Sequence, residues 1–278
     1  MIVNRRAFIQ TLGAGLAFPS AAAAQHPFPP DREDMVPVPG GRVYVRVNGR
    51  ITTRRPPLLI VHGGPGSGHS GYIAMTALAA DRAVILYDQL DNGRSDRPGD
   101  PNNWHVGRFV DEIVAIRSAL GLARIHLYGA SFGGMIALEY AARRPRGLAG
   151  TILQSPQVSV PQWASDMRAL SQSLPRETRD AFDRCEAGEA EAADCRAAVQ
   201  AYNSRYQLRE PRPPRIEDYR RSVGASQNDR VLQTMWGKRF LTSDGTLRSY
   251  DATSLLPRLD PGERSSSPVN MTRHGPPP

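Results

Sequence analysis

Short, continuously apolar runs recur along the first half of the chain, separated by stretches with a different spacing. Residues 57–61 (Pro-Leu-Leu-Ile-Val) and 83–87 (Ala-Val-Ile-Leu-Tyr) are such runs, which are typical of strands buried on both faces of a parallel sheet. Residues 40–47 open with a Gly-Gly turn and then alternate, which predicts an antiparallel strand. Residues 110–120 place apolar side chains at a helical period. Further strands are predicted at residues 124–128 and 148–153, and a further helix at residues 135–142.

This alternation of strands and helices predicts an α/β fold, a mostly parallel sheet with helices on both faces. The character changes over residues 161–236, where charged, Ala-rich helical stretches are broken by prolines. We interpret this stretch as a helical insertion into a core that spans residues 35–160. The chain returns to the core over residues 237–256, and residues 257–278 form a Pro-rich tail predicted to be neither strand nor helix.

The first 24 residues have the pattern of an export signal. A basic start is followed by an apolar, small-residue stretch and by Ala-Ala-Ala at residues 22–24, a plausible cleavage site. Residues 4–10 (Asn-Arg-Arg-Ala-Phe-Ile-Gln) resemble a twin-arginine signal. The alternative, a membrane anchor, needs about 20 apolar residues, and Pro19 interrupts a shorter stretch. We therefore expect export to the periplasm or beyond, and a mature chain that is not held in a membrane.

Composition narrows the class of protein further. The 278 residues carry a formal charge of +8, and Lys238 is the one lysine among 35 basic residues. The arginines are scattered and not clustered, which argues against a nucleic-acid partner. Neither metal-ligand spacing nor any cofactor signal is present, so no cofactor is expected; the oligomeric state stays undetermined. The two cysteines, Cys185 and Cys195, either form a disulfide or remain as free thiols.

A Gly-x-Ser-x-Gly motif carries the main chemical signal. Residues 129–133 (Gly-Ala-Ser-Phe-Gly) lie directly after a predicted strand and before a predicted helix. That context is the one a nucleophile elbow needs, because Gly129 and Gly133 permit a sharp turn that presents the Ser131 hydroxyl above the sheet. The helix N-terminus offers backbone N–H groups to developing negative charge.

Two further segments follow strands at the same edge of the predicted sheet. Residues 62–66 (His-Gly-Gly-Pro-Gly) sit where hydrolases of this architecture place a second oxyanion donor, and His62 is expected to be structural. Residues 88–95 (Asp-Gln-Leu-Asp-Asn-Gly-Arg-Ser) are expected to shape the rim of the site. Asp88 is interpreted as an acceptor that fixes this loop and not as a catalytic base.

Together, residues 62–66, 88–95 and 129–134 resemble the proline iminopeptidase family of α/β-hydrolases, which includes the tricorn-interacting aminopeptidases; the resemblance covers residues 35–255. It implies a serine exopeptidase that removes an N-terminal residue, often proline, from short peptides. Ser131 would be the nucleophile, the N–H of Phe132 and the Gly63–Gly64 backbone would form the oxyanion hole, and the insertion would be a cap. An esterase or amidase on the same fold, or a non-catalytic remnant, stays open as an alternative.

Three departures from the family pattern matter. Asp91 stands where the rim motif usually has Gly, and Lys238-Arg239 stand where an acid would hold the substrate's α-amino group; we expect this basic pair to repel an ammonium. The triad acid and His should follow residue 255, yet the tail lacks an apolar run. Its candidates, Asp260, Glu263 and His274, lie too close together in the sequence to leave room for a strand–helix–strand unit between the acid and the His. The sequence thus predicts that the last strands are missing through a truncation or an out-of-frame tail, with Ser131 left inactive.

Overall fold

A computed structural model describes residues 28–224 and 227–259, and the proposed export signal lies outside these ranges. Six strands form one mixed sheet in the order β1-β2-β4-β3-β5-β6. Their bounds are β1 (Arg32–Val38), β2 (Gly41–Asn48), β3 (Leu58–Val61), β4 (Val84–Tyr87), β5 (Ile125–Ala130) and β6 (Leu148–Gln154). The first two strands form a hairpin, β2 pairs antiparallel with β4, and the remaining neighbours are parallel. The predicted α/β class is confirmed.

Side chains of the central strands alternate between two buried layers, as a sheet covered on both faces requires. Leu59, Ile85 and Leu127 belong to one apolar cluster, which is covered by two helices, α1 (Val106–Ala119) and α2 (Phe132–Ala142). The intervening positions, Leu58, Ile60, Val84, Leu86 and Tyr128, pack on the other face against side chains of the 3₁₀ helix His69–Ala80. The sheet is therefore an apolar platform whose strand ends carry the polar loops.

Both helices begin earlier than the apolar period predicts. In α1 the ring of His105 accepts a hydrogen bond from the N–H of Arg108 at 3.2 Å and caps the helix, which adds a turn before the first periodic apolar residue. In α2 the first helical residue is Phe132, directly after Ser131. The elbow thus passes from strand to helix within one residue.

Residues 160–235 contain five helices that follow β6, in the stretch that the sequence analysis interprets as an insertion. They are α3 (Val160–Ser171), α4 (Arg176–Ala187), α5 (Ala192–Tyr206), α6 (Pro214–Ser222) and α7 (Asp229–Met235). A disulfide joins Cys185 on α4 to Cys195 on α5, so the disulfide alternative is the correct one. Phe182 and Phe240 stack at 5.8 Å beneath this pair of helices. We call these five helices the cap.

After the cap the chain returns to the core at the base of α3. The N–H of Val160 donates to the carbonyl of Tyr250 at 2.9 Å, and the N–H of Ala252 donates to Val158 at 2.8 Å. A 3₁₀ helix then spans Thr253–Arg258. The prediction that helix is absent from residue 257 onward is therefore wrong for its first two positions, because the half-buried Leu255 and Leu256 hold this turn in place. Residues 260–278 lie outside the described ranges.

Candidate active site

Ser131 occupies a strained backbone position between β5 and α2. Its φ of 54° and ψ of −122° lie in a region that non-glycine residues rarely adopt. Neighbouring backbone fixes this geometry: the N–H of Ser131 donates to the carbonyl of Gln154 at 3.0 Å, and the N–H of Gly134 donates to the carbonyl of Ser131 at 2.9 Å. Strain that the surroundings hold in this way is typical of a functional position.

The two glycines of the motif are required by close backbone approach. A Cβ on Gly129 would lie 2.3 Å from the carbonyl oxygen of Gly133. A Cβ on Gly133 would lie 2.3 Å from the carbonyl oxygen of Val61 and 2.5 Å from that of His62. A side chain at Gly129 would therefore push β5 away from α2, and a side chain at Gly133 would separate the elbow from β3 and from the loop that follows it.

The loop after β3 lies directly against the elbow. A Cβ on Gly63 would be 3.3 Å from the Cβ of Ser131, so the predicted partners are brought together. The N–H of Gly63 donates to the Tyr72 hydroxyl at 3.1 Å. Within the described ranges, no hydrogen bond engages the N–H of Gly64 or of Phe132, and their oxyanion role stays a prediction.

His62 joins this loop to the loop that follows β4. Its ring is fully buried; Nε2 accepts from the N–H of Gln89 at 3.0 Å, and Nδ1 lies 2.7 Å from the carbonyl oxygen of Gly63. The Gln89 amide in turn donates to the carbonyl of His62 at 2.9 Å. Burial lowers the pKa of His62, which keeps the ring neutral and structural.

Asp88 lies at the centre of a buried polar network. Its carboxylate accepts from the N–H of His69 at 2.6 Å and from the N–H of Arg94 at 2.9 Å, and it lies 2.8 Å from Nδ1 of His69. Burial alone would raise the pKa of Asp88, but the His69 imidazole and these hydrogen bonds hold it below its ordinary value. These are the contacts of an acceptor that fixes a loop.

The same network reaches the cap through residues that the sequence reasoning missed. Nε2 of His69 lies 2.6 Å from the hydroxyl of Tyr219 on α6, and that hydroxyl accepts from the Arg46 guanidinium at 2.7 Å. All three side chains are buried. Little in the sequence signals this network. The alternation of β2 places Arg46 at a polar position, and no pattern around His69 identifies a partner on α6.

The rim loop accepts Asp91 in place of glycine. Asp91 has a φ of 67°, a left-handed conformation that Asp tolerates better than most residues. Its carboxylate accepts from the Trp104 indole at 2.8 Å and from the N–H of Gly99 at 2.7 Å. Asp91 therefore departs from the family pattern but stabilises the loop through these two hydrogen bonds.

A cavity of about 1000 Å³ opens above Ser131, between the core loops and the cap. Gly63, Gly64 and Tyr72 contribute one wall, and apolar and aromatic cap side chains contribute another. Asp166 on α3 adds a carboxylate, which accepts from the Gln162 amide at 2.8 Å. The cap side chains that form this apolar wall are Trp163, Met167, Leu170, Tyr202 and Tyr206.

Lys238 and Arg239 do not line this cavity. They line a separate one of about 510 Å³, beside the disulfide. Glu186 on α4 holds the adjoining backbone, since its carboxylate accepts from the N–H groups of Phe240 and Leu241, each at 2.9 Å. The expectation that this basic pair would repel an ammonium beside Ser131 is therefore wrong, because the loop turns it away from the site.

Within residues 28–224 and 227–259, no imidazole hydrogen-bonds to the Ser131 hydroxyl. His62 and His69 are held in the contacts described above, and His105 caps α1. Asp260, Glu263 and His274 lie outside this part of the chain. In the same ranges, no group of three or more His, Cys, Asp or Glu could hold a metal ion, and no helix is long and apolar enough to cross a bilayer.

Comparison with known proteins shows which proteins this chain is similar to. Residues 56–246 match a family described as the alpha/beta hydrolase fold. A proline iminopeptidase of Heyndrickxia coagulans is 35% identical over 231 residues, which cover 82% of this chain and 78% of that protein. A crystal structure of Mycobacterium smegmatis proline iminopeptidase has a TM-score of 0.73 and 33% identity, covering 82% of this chain and 78% of its own. A crystal structure of VinJ has a TM-score of 0.76 and 32% identity, with coverages of 84% and 80%.

Proposed function

Because the chain belongs to the α/β-hydrolase family and to its proline iminopeptidase group, we propose that it is a serine aminopeptidase that releases the N-terminal residue of short peptides. The observation that carries the proposal is the strained elbow, which presents Ser131 at the N-terminus of α2 and against the Gly63–Gly64 backbone. This is the arrangement that acyl transfer requires.

In the proposed reaction, the Ser131 hydroxyl oxygen attacks the carbonyl carbon of the first peptide bond. The N–H groups of Phe132 and Gly64 stabilise the oxyanion that forms, aided by the dipole of α2. The amine of the remaining peptide takes up the proton that the serine hydroxyl gives up and leaves. Water then hydrolyses the acyl-serine: its hydroxyl joins the released N-terminal residue, and its proton returns to the serine oxygen. No metal or organic cofactor takes part in these steps.

Asp166 supplies the carboxylate that an N-terminal ammonium needs. It lines the Ser131 cavity, and its described hydrogen-bond donor is the neutral amide of Gln162. The acid expected at position 238 or 239 is thereby replaced by one on α3. A charge-assisted hydrogen bond of this kind contributes about 1.5–3 kcal/mol.

Labelling with a fluorophosphonate tests the nucleophile, since the reagent reacts with an activated serine. We expect labelling of the wild-type chain and its loss in Ser131→Ala. Hydrolysis of proline-naphthylamide, measured beside that of a nitrophenyl ester, then tests the substrate class. Labelling with ester hydrolysis alone would indicate an esterase on the same fold, and absence of labelling would refute the proposed activity.

We also propose that the chain is exported. The twin-arginine-like residues 4–10 motivate the proposal, and the Cys185–Cys195 disulfide supports it because disulfides persist mainly in oxidising compartments. Cell fractionation of the tagged chain should place it outside the cytoplasm. Replacing Arg5 and Arg6 by Lys should retain it inside, and an unchanged distribution would contradict a twin-arginine route.

A further inference from the structure

The charges that line the Ser131 cavity are unevenly matched. Asp88 is held by His69 and by the N–H of Arg94, while the Arg94 guanidinium pairs with Glu33 at 2.5 Å. Asp166 on α3, which the proposed function assigns to the substrate's ammonium, also lines the cavity, and so do two guanidiniums: Arg212, which precedes α6, and Arg220 on α6.

A single carboxylate serves both guanidiniums. Glu217 lies 3.3 Å from Nη1 of Arg212 and 3.6 Å from Nε of Arg220. Nε of Arg220 is buried and has no hydrogen-bond partner in the described part of the chain. Burial lowers the pKa of Arg220, and the neighbouring Arg212 lowers it further against the opposing effect of Glu217. This corner of the cavity is therefore short of negative charge.

Arg220 is also directed toward the core side of the cavity. Its Nη1 lies 3.8 Å from the position that a Cβ on Gly71 would take. Gly71 precedes Tyr72, whose hydroxyl accepts from Gly63 beside Ser131. The guanidinium therefore reaches across from α6 to the 3₁₀ helix that adjoins the elbow, where a substrate bound at Ser131 can meet it.

We propose that Arg212 and Arg220 form a subsite for the terminal carboxylate of the substrate, so that the preferred substrates are short peptides with a free C-terminus. This inference rests on the proposed aminopeptidase function. The two guanidiniums repel the N-terminal ammonium of such a peptide and attract its C-terminal carboxylate. We therefore expect the C-terminus to bind beside them. A guanidinium suits this task because its paired N–H groups match the two oxygens of a carboxylate.

The cavity limits the length of the substrate as well. A volume of about 1000 Å³ is at the upper end for small-molecule sites, which span roughly 300–1000 Å³, so only a few residues fit beneath the cap. In the reaction, the first peptide bond breaks, and water gives its hydroxyl to the released residue and a proton to the new amine. The bound carboxylate is unchanged and leaves with the shortened peptide.

Binding to the Ser131→Ala variant tests the subsite without dependence on turnover. Titration calorimetry compares Pro-Gly-Gly with Pro-Gly-Gly-amide, which differ only in the terminal charge. We expect the free acid to bind about tenfold more tightly, as one charge-assisted contact predicts. Adding Arg220→Gln should remove most of this preference for the acid, and adding Arg212→Gln as well should make the affinities for acid and amide equal.

Arg221→Gln is the matched control, because Arg221 is the next residue of α6 and forms an exposed pair with Asp218 outside the cavity lining. Arg212→Gln, at the more exposed partner, repeats the test if the Arg220 variant does not fold. Equal binding of acid and amide, no binding of either, or equal effects of the Arg220 and Arg221 variants would overturn the subsite. If the Ser131→Ala variant prefers the acid but the wild-type chain is not labelled by a fluorophosphonate, the proposed catalysis is refuted and the subsite is not.

Discussion

The Tyr219 hydroxyl on α6 lies 2.6 Å from Nε2 of His69 in the core, and this buried contact joins the cap to the loop that follows the oxyanion segment. Arg46 can only donate to the hydroxyl, which it does at 2.7 Å. The other ring nitrogen of His69, Nδ1, lies 2.8 Å from a carboxylate oxygen of Asp88. One chain of hydrogen bonds thus orients a tyrosine of the cap, a histidine of the site and the buried carboxylate.

Tyr219→Phe should destabilise the protein by about 1–3 kcal/mol, because it leaves buried donors and acceptors of Arg46 and His69 without that partner. Urea unfolding monitored by circular dichroism measures the change. Arg221→Gln, on the exposed face of the same helix, should alter stability by less than about 0.5 kcal/mol. Equal stabilities for the Tyr219 variant and the wild type would show that the contact contributes nothing.

Asp88→Asn should remove a pH-dependent contribution to stability. The pKa of Asp88 is held below its ordinary value of 3.8, so its ionised form stabilises the fold above that pH, and the contribution is lost as the pH falls through the folded-state pKa. We expect a loss of about 3 kcal/mol near pH 7, which shrinks as the pH falls below the ordinary value of 3.8.

Unfolding free energies measured across this pH range test the expectation. Asp111→Asn is the control, because Asp111 is an exposed carboxylate that lies 3.7 Å from Arg143. A difference between Asp88→Asn and wild type that stays constant with pH would contradict a role for the ionised carboxylate.

Gly133→Ala should abolish fluorophosphonate labelling, because the added methyl group would lie 2.3 Å from the carbonyl oxygen of Val61 and would displace the elbow. Gly107→Ala on α1 is the matched control, since its nearest neighbour would be 3.5 Å away and alanine favours helix. The control should label normally and be no less stable. Normal labelling of the Gly133→Ala variant would contradict the close approach of the elbow to the carbonyl oxygen of Val61.

Asp166→Asn should raise KM about tenfold for peptides with a free N-terminus and change kcat by less than about threefold, since a binding contact is removed and the reacting atoms are untouched. Asp180→Asn, on an exposed face of α4, should leave both parameters unchanged. Steady-state kinetics on proline-naphthylamide provide the comparison. Identical KM values for the two variants would place the ammonium elsewhere.

Much of the fold could be predicted because its signals are local. The apolar runs at residues 57–61 and 83–87 define buried strands, and the glycines around Ser131 define a turn that few other sequences permit. The family resemblance added the roles of the oxyanion segment. These features depend on neighbours in sequence, which pattern reasoning describes well.

The predictions from the sequence were wrong or left open where a residue's position depends on contacts with residues far away in the sequence. Whether Lys238 and Arg239 face the site depends on how Glu186 holds the following backbone, a contact across 54 residues. The disulfide, left open from spacing alone, depends on how α4 and α5 pack. The His69–Tyr219 contact joins residues 150 apart, and neither shows a pattern that identifies the other.

The separation of Arg46 and Tyr219, 173 residues along the chain, has a consequence for the order of folding. Contacts between distant segments form late, because the loop they close must lose its conformational entropy first. The hairpin of β1 and β2 can form early, yet the buried Arg46 guanidinium acquires its tyrosine partner only after all six described strands and most of the cap have been synthesised. We therefore expect closure of the cap to be the last cooperative step on the way to a competent site.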